Sequence, residues 1–429
     1  MSFVRTTPLD EQTRSNFVHL YFDMIWYGVL SGSAIAFLGI YAARIGAISF
    51  QMGLLSAGPG LVNLFFSLPS GRWLDGKPLI RATFRSAIFT RLGYLALIPL
   101  PWVLANPAQI WGIIWITLLM SIPGTLVAIS FNALFAETVP PEWRAHVLGR
   151  RNALFAVMVT ITSLLCGLIL DKISFPLNYQ IVFLIGAASS MLSAFHVGRI
   201  GLPGEAPVRI RRSLDTFVHT GSQRLLSSMR QPLAGLIAKN TGKPLLRLDL
   251  VRSSFGPFLL AYLMFYTFQY VSLPLFPLYN VRNLHLTDGI ISIGNAFFYI
   301  TMMVMSLGLN RIGARRSPRF LLVTGALAFG FFPLIMYLAK DAVLFLAANL
   351  VGGCVWAVLN AGLVNRLMER VPGDDRPAHM ALHNIVLNLG ILSGSMLGAA
   401  LVSLVGLKEV ILIGALARFA GGFLLLIWG

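Results

Sequence analysis

The sequence predicts an all-α integral membrane protein, with twelve transmembrane helices in two six-helix halves. Three observations carry that prediction. The first is composition: 56% of the 429 residues are hydrophobic, 11% are charged, and mean hydropathy is +0.76. A soluble domain carries about 25% charged residues, and so few charges would not cover a water-soluble surface of this size. The second is segmentation into apolar runs of about 20 residues, the length that crosses a bilayer as a helix. The third is an internal repeat that divides the chain near its middle.

In chain order the apolar segments are 17–43, 51–70, 84–104, 109–136, 150–170 and 178–198, then 253–281, 287–307, 320–338, 343–368, 379–404 and 408–428. The polar stretch before the first lacks the basic-then-apolar layout and small-residue cleavage site of a signal peptide. The first segment is therefore expected to be retained. The halves, 1–198 and 253–429, flank a polar, basic linker at 199–252. Within it, the stretch 210–238 sets Leu214, Phe217, Leu225, Leu226 and Met229 among Arg and Ser. That is the pattern of an amphipathic helix on an anionic membrane surface. Cys166 and Cys354 lie inside apolar segments and are expected to pack.

Lys and Arg set the expected orientation. Of 33, 26 fall on one side: the N-terminal tail, the linker, and the second-to-third, fourth-to-fifth, eighth-to-ninth and tenth-to-eleventh loops. Arg44, Lys172, Arg282, Lys340 and Lys408 fall on the other. Both termini are expected in the cytoplasm, in the cytoplasmic membrane of a bacterium. The net charge of +17 is then a sign of topology and not of nucleic-acid binding.

The repeat reads E-x-V-P-x-x-x-R. One copy runs from Glu137 to Arg144 with Asn152 eight residues on, the other from Glu369 to Arg376 followed likewise by Asn384. Each copy sits between two long apolar segments. A carboxylate just past the end of a helix is disfavoured by that helix's own dipole. It is favoured if an arginine of the next loop pairs with it, which makes Arg144 and Arg376 the expected partners of Glu137 and Glu369.

Gly71-Arg72-Trp73-Leu74-Asp75-Gly76-Lys77-Pro78-Leu79-Ile80-Arg81, between the second and third segments, resembles the G-x-L-x-D-x-x-G-R-K signature of the major facilitator superfamily of secondary transporters. Gly71, Asp75 and the following basic residues match; Trp73 and the displaced second Gly depart from it. The matching loop of the second half, Asn310 to Arg316, keeps the Gly and a basic pair, with Asn in place of the acid. Two six-helix halves with a long basic linker, and the repeated acid and arginine elements, resemble the same superfamily. The resemblance implies two pseudo-symmetric bundles around a central cavity lined by the first, fourth, seventh and tenth helices. It also implies a cytoplasmic gate of Gly71, Asp75, Arg81, Glu137, Arg144, Glu369 and Arg376. The third and twelfth helices, with Arg91 and Arg418, are implied to be peripheral.

Asp23 is the only acid well inside a predicted span, about seven residues and hence about 10 Å deep. Ionisable groups at such depth face a cavity or a partner. Asp23, Trp26, Tyr27, Leu30, Ser31 and Ala34 share one helical face, which reads as a cation- or proton-binding site. The seventh segment aligns Tyr262, Tyr266, Gln269 and Tyr270 before Pro274 and Pro277, the mark of a broken helix near a binding site. Asn295 and Tyr299 on the eighth segment and Asn360 on the tenth extend the polar thread. His383 lies near the cytoplasmic end of the eleventh and is expected to be structural.

Drug and proton antiporters of that superfamily often carry G-x-x-x-G-P-x-x-G-G in the fifth helix; here that helix has a single Gly167 and no proline. No Walker sequence, metal-ligand cluster or nucleophile constellation occurs. The expectation is a monomeric transporter, not an enzyme, with no cofactor, metal or nucleic-acid partner. It moves a small amphipathic molecule by alternating access, coupled to protons, with efflux favoured over uptake. Uptake of a nutrient or organic anion, and a non-transporting assembly or sensing role, stay open as alternatives.

Overall fold

A computed structural model describes residues 10–202, 248–313, 316–371 and 376–429. The amphipathic pattern at 210–238 lies outside the described residues. Those residues form twelve helical rods. The first half contains α1 (Glu11–Arg44), α2 (Ser49–Leu74), α3 (Leu79–Leu97), α4 (Asn106–Thr138), α5 (Pro141–Lys172) and α6 (Leu177–Gly198). The second contains α7 (Gly256–Arg282), α8 (Asp288–Gly313), α9 (Pro318–Leu338), α10 (Ala342–Arg370), α11 (Arg376–Val405) and α12 (Leu407–Trp428).

Most rods run past the apolar runs of the sequence, because a helix continues into the polar interface once its hydrocarbon length is filled. Ten are long and apolar enough to cross a membrane; α2 and α3 are not among the ten. Helix α3 carries Arg81, Arg85 and Arg91, and α2 carries Pro59, Pro69, Gln51 and Asn63. Both pack between protein neighbours, α2 between α4 and α11, α3 between α4 and α6. Helix α3 ends at Leu97, short of the expected 104, where Pro99 and Pro101 remove two backbone donors.

Local sequence explains the interruptions. A π-turn at Ser31–Ile35 lets α1 swing between α5 and α6. At Gly32 a Cβ would come within 2.6 Å of the Val159 carbonyl, so only glycine permits that crossing. Helix α7 breaks into a 3₁₀ turn at Leu273–Leu275, at Pro274 as expected. Gly76, between α2 and α3, has φ +76°, a conformation that suits glycine.

The halves meet along α2 with α11 and α5 with α8, two pairs related by the six-helix repeat, and where the far end of α1 touches that of α7. At the end opposite the basic loops, one buried apolar cluster runs through both halves, from Phe37, Tyr41 and Phe183 to Leu275, Tyr279 and Ile291. At the basic end the first half keeps a separate cluster of its own: Phe17, Leu20, Leu74, Leu79, Leu134, Val139 and Val197. The Val of each E-x-V-P copy, Val139 and Val371, is buried, which gives the repeat a packing reason.

Candidate functional site

Asp23 lies twelve residues into α1, about 18 Å from its start, and is 5% exposed. It does not face an open site. Arg151 on α5 donates from Nη2 to Asp23 Oδ2 at 3.0 Å, and Ser193 on α6 donates to Oδ1 at 2.7 Å. Arg91 on α3 donates from Nη2 to Ser193 Oγ at 2.8 Å and from Nε to the Ser190 carbonyl at 2.6 Å. The result is a buried cluster tying α1, α3, α5 and α6 together. Arg151 is 6% exposed, stands 4.8 Å over the Phe131 ring and also contacts Met24 Sδ at 3.7 Å. Arg151, counted by charge with the fourth-to-fifth loop, lies instead inside α5, which begins at Pro141, ten residues before it. Its signal in the sequence is that Phe155 follows it by one turn on the same face.

Tyr27 stacks on Phe155 of α5 at 5.8 Å, and Phe155 meets the edge of Tyr299 on α8 at 6.5 Å. Three rings therefore cross the seam between halves, with Phe155, which the sequence did not single out, in the middle. Trp26 and Asn295 are half-buried on α1 and α8.

The aromatic stripe of α7 is buried against α11 and does not line an open face. Tyr266 Oη lies 3.4 Å from His383 Nε2, Tyr262 Oη donates to the Leu363 carbonyl at 3.1 Å, and a Cβ at Gly390 would reach Tyr266. Tyr270 is likewise beside Gly394. Gln269 and Asn360 are each 3% exposed, and Gln269 Oε1 and Asn360 Nδ2 have no hydrogen-bond partner among the described residues. Buried polar atoms are normally paired, so these two amides keep capacity for a ligand.

The motif residues at the basic end make contacts within their own halves. Arg144 donates from Nε to the Val139 carbonyl at 2.9 Å and from Nη2 to the Ala136 carbonyl at 2.8 Å. It thereby caps the carboxyl end of α4 instead of bonding to Glu137, which is exposed. Glu369 is paired by Arg366, one turn before it, at 2.7 Å. The side chain of Arg376 lies outside the described residues. Gly71 accepts from the Asp75 backbone N–H at 3.1 Å, Asp75 and Arg81 are exposed, and Lys77 Nζ sits 3.2 Å over the Trp73 ring.

The opposite end holds a connection that the sequence did not disclose. Arg44, the last residue of α1, donates to the Leu286 carbonyl at 2.6 Å and to Asp288 Oδ1 at 2.9 Å. Arg282, the last residue of α7, donates to the Ala47 carbonyl at 2.7 Å. Each half thus sends its terminal arginine into the first loop of the other. The residue before each accepting carbonyl has positive φ, Gly46 at 104° and His285 at 48°. Tyr179 donates to Asp288 Oδ2 at 2.7 Å, Asp171 Oδ1 accepts from the Gly289 N–H at 2.9 Å, and Ser49 Oγ donates to the Ala399 carbonyl at 3.2 Å. Asp288, an edge residue by hydropathy, accepts two charge-assisted bonds from Arg44 and is 7% exposed.

Comparison with known proteins agrees with this architecture. Residues 258–429 match the family model Major Facilitator Superfamily. No curated protein matches the chain. Similar solved structures include the nucleoside transporter NupG, at 15% identity and TM-score 0.65, covering 98% of this chain and 99% of that one. A bacterial homologue of the iron transporter ferroportin is similar in its inward-facing state, at 13% identity and TM-score 0.70, with 98% and 99% covered. In its outward-facing state the same homologue gives 14% identity, TM-score 0.57 and the same coverage. The family model thus matches the second half of the chain, and the solved structures share the fold of the whole. The chain is an integral membrane protein with that superfamily's transporter fold.

Proposed function

We propose that this protein is a secondary active transporter that moves a small amphipathic molecule by alternating access, and that the conformation described here is open toward the basic, cytoplasmic face. The observation that carries the reading is the asymmetry of the seam. Among the described residues the buried apolar core joins the halves at the far end, where Arg44 and Arg282 interlock the first loops, while the first half keeps a separate cluster at the basic end. Greater similarity to the inward-facing than to the outward-facing ferroportin homologue supports the same direction of opening. In the alternate state the far seam parts, and the E-x-V-P-x-x-x-R loops approach and take up the cross-half contacts of a closed gate.

In this reading the substrate lies between the halves, against Trp26, Tyr27 and Tyr299, with Gln269 and Asn360 supplying amides. Asp23 is not its counter-ion, because Arg151 already neutralises it. The buried Asp23–Arg151 pair between α1 and α5 is instead the candidate proton-coupling element. Export is favoured over uptake because rings outnumber the polar groups that a sugar would need.

A cross-link tests the mechanism. With Cys166 and Cys354 replaced, Ser49→Cys and Ala399→Cys are introduced at the far seam. Counterflow is then followed in proteoliposomes for a compound selected by thermal shift at two pH values. Oxidation should stop counterflow and reduction restore it. Undiminished counterflow in the cross-linked protein would overturn alternating access through this seam.

A further inference from the structure

Arg418 sits at the middle of α12, eleven residues after Leu407 and ten before Trp428, and is 0% exposed. Either end of the helix is about 15 Å away, too far for the side chain to reach an interface. Its Nη2 donates to the Gln269 carbonyl at 3.0 Å and to Ser272 Oγ at 3.4 Å. The guanidinium lies 4.5 Å over Phe329, with Phe276 and Phe332 at 5.9 and 6.0 Å. Nε and Nη1 have no hydrogen-bond partner among the described residues.

All of these contacts are neutral, whereas the guanidinium keeps its charge in any protein environment. The described acids of this half are engaged or distant. Asp288 is held by Arg44, Asp341 caps α10, and Glu369 is held by Arg366. Glu409 stands at the start of α12, nine residues and about 13 Å away along the axis. In the first half the buried Arg151 is met by a carboxylate, Asp23, although its Nε too has no partner among the described residues. A buried charge that meets only dipoles and ring faces is under-compensated. Arginine N–H groups are also the preferred donors to carboxylates and other anions.

We propose that Arg418 marks an anion site within the second bundle, where a monovalent anionic group, a halide or a carboxylate, is taken by Nε and Nη1. One positive charge calls for one negative charge, and the three phenylalanine rings exclude water from the pair. Ser272, one of the α7 contacts of Arg418, directly precedes the 3₁₀ break at Leu273–Leu275. This assignment stands independently of which molecule the protein carries.

The test uses purified full-length protein in detergent. Its melting temperature is measured while chloride or acetate replaces methanesulfonate at constant ionic strength. The wild type should show a saturable rise of about 3 °C, lost in Arg418→Met and kept in Lys340→Gln, which removes a surface charge. A rise with chloride assigns the site to a free halide; a rise with acetate alone assigns it to the carboxylate of a larger ligand. No saturable rise with either anion, or an equal rise in Arg418→Met, overturns the proposal. If Arg418→Met does not fold, NMR line broadening of chloride and of acetate by the wild type decides: saturable broadening with either anion supports the site, and strictly linear broadening with both overturns it.

Discussion

Helices α1 and α5 of the first half correspond by the six-helix repeat to α7 and α11 of the second, yet the polar contact inside each pair differs in kind. In the first it is ionic, Asp23 with Arg151, extended through Ser193 to Arg91. In the second it is a set of hydrogen bonds without a carboxylate, Tyr266 with His383 at 3.4 Å and Thr267 with Ser393 at 2.9 Å. Arg151 and His383 are each one residue before the Asn that follows the two motif copies. The far seams of the halves use matching arginines, Arg44 and Arg282, while their interiors differ. Loop geometry is demanded by the shared fold, whereas a buried pair has only to be internally satisfied. The first half therefore holds a buried ion pair, and the second a frame of hydrogen bonds without a carboxylate.

The largest effect expected from breaking that contrast is in the first half. Asp23→Leu leaves Arg151 buried without its counter-charge and should cost about 3–5 kcal/mol, seen as a loss of folded protein on heating. Adding Arg151→Met should recover most of it, since an apolar pair of similar volume is often as stable. A double variant no more stable than the single would show that the pair is not the unit.

The far seam comes next. Arg44→Gln loses charge-assisted bonds to buried Asp288 and should shift the equilibrium between states by about 1.5–3 kcal/mol toward parting. Arg282→Gln loses one bond to a neutral carbonyl and should shift it by about 1 kcal/mol. Labelling of Ala47→Cys by a bulky external thiol reagent, in protein lacking the native cysteines, would rank the two. Equal labelling would mean that Asp288 is not what distinguishes them.

The smallest effect is expected in the second half. Tyr266→Phe removes a long hydrogen bond and should cost under about 1 kcal/mol in thermal stability. A loss as large as that of Asp23→Leu would erase the contrast between halves.

Much of the frame was legible in the residues. The apolar runs located all twelve rods, and Pro274 foretold the break in α7. The site was legible only as candidates. Helical periodicity says which face a residue occupies, so Asp23 could be seen as special. It does not say which helix lies opposite, so Arg151, 128 residues away in sequence, was read as a loop arginine. The same gap hid Arg44 with Asp288, whose separation is 244 residues. The expected partnership of Arg144 with Glu137 fails in this conformation because the backbone carbonyls of Val139 and Ala136 are nearer acceptors.

What the sequence determined by itself is the solvent of each segment, since hydropathy and the placement of lysine and arginine depend on residues one at a time or in short runs. What only the tertiary structure decided is pairing: which charge neutralises which, which end of the seam is shut, and that Arg418 is met by dipoles and rings alone. Those are properties of two surfaces brought together across a membrane-length distance, and local sequence carries no term for them.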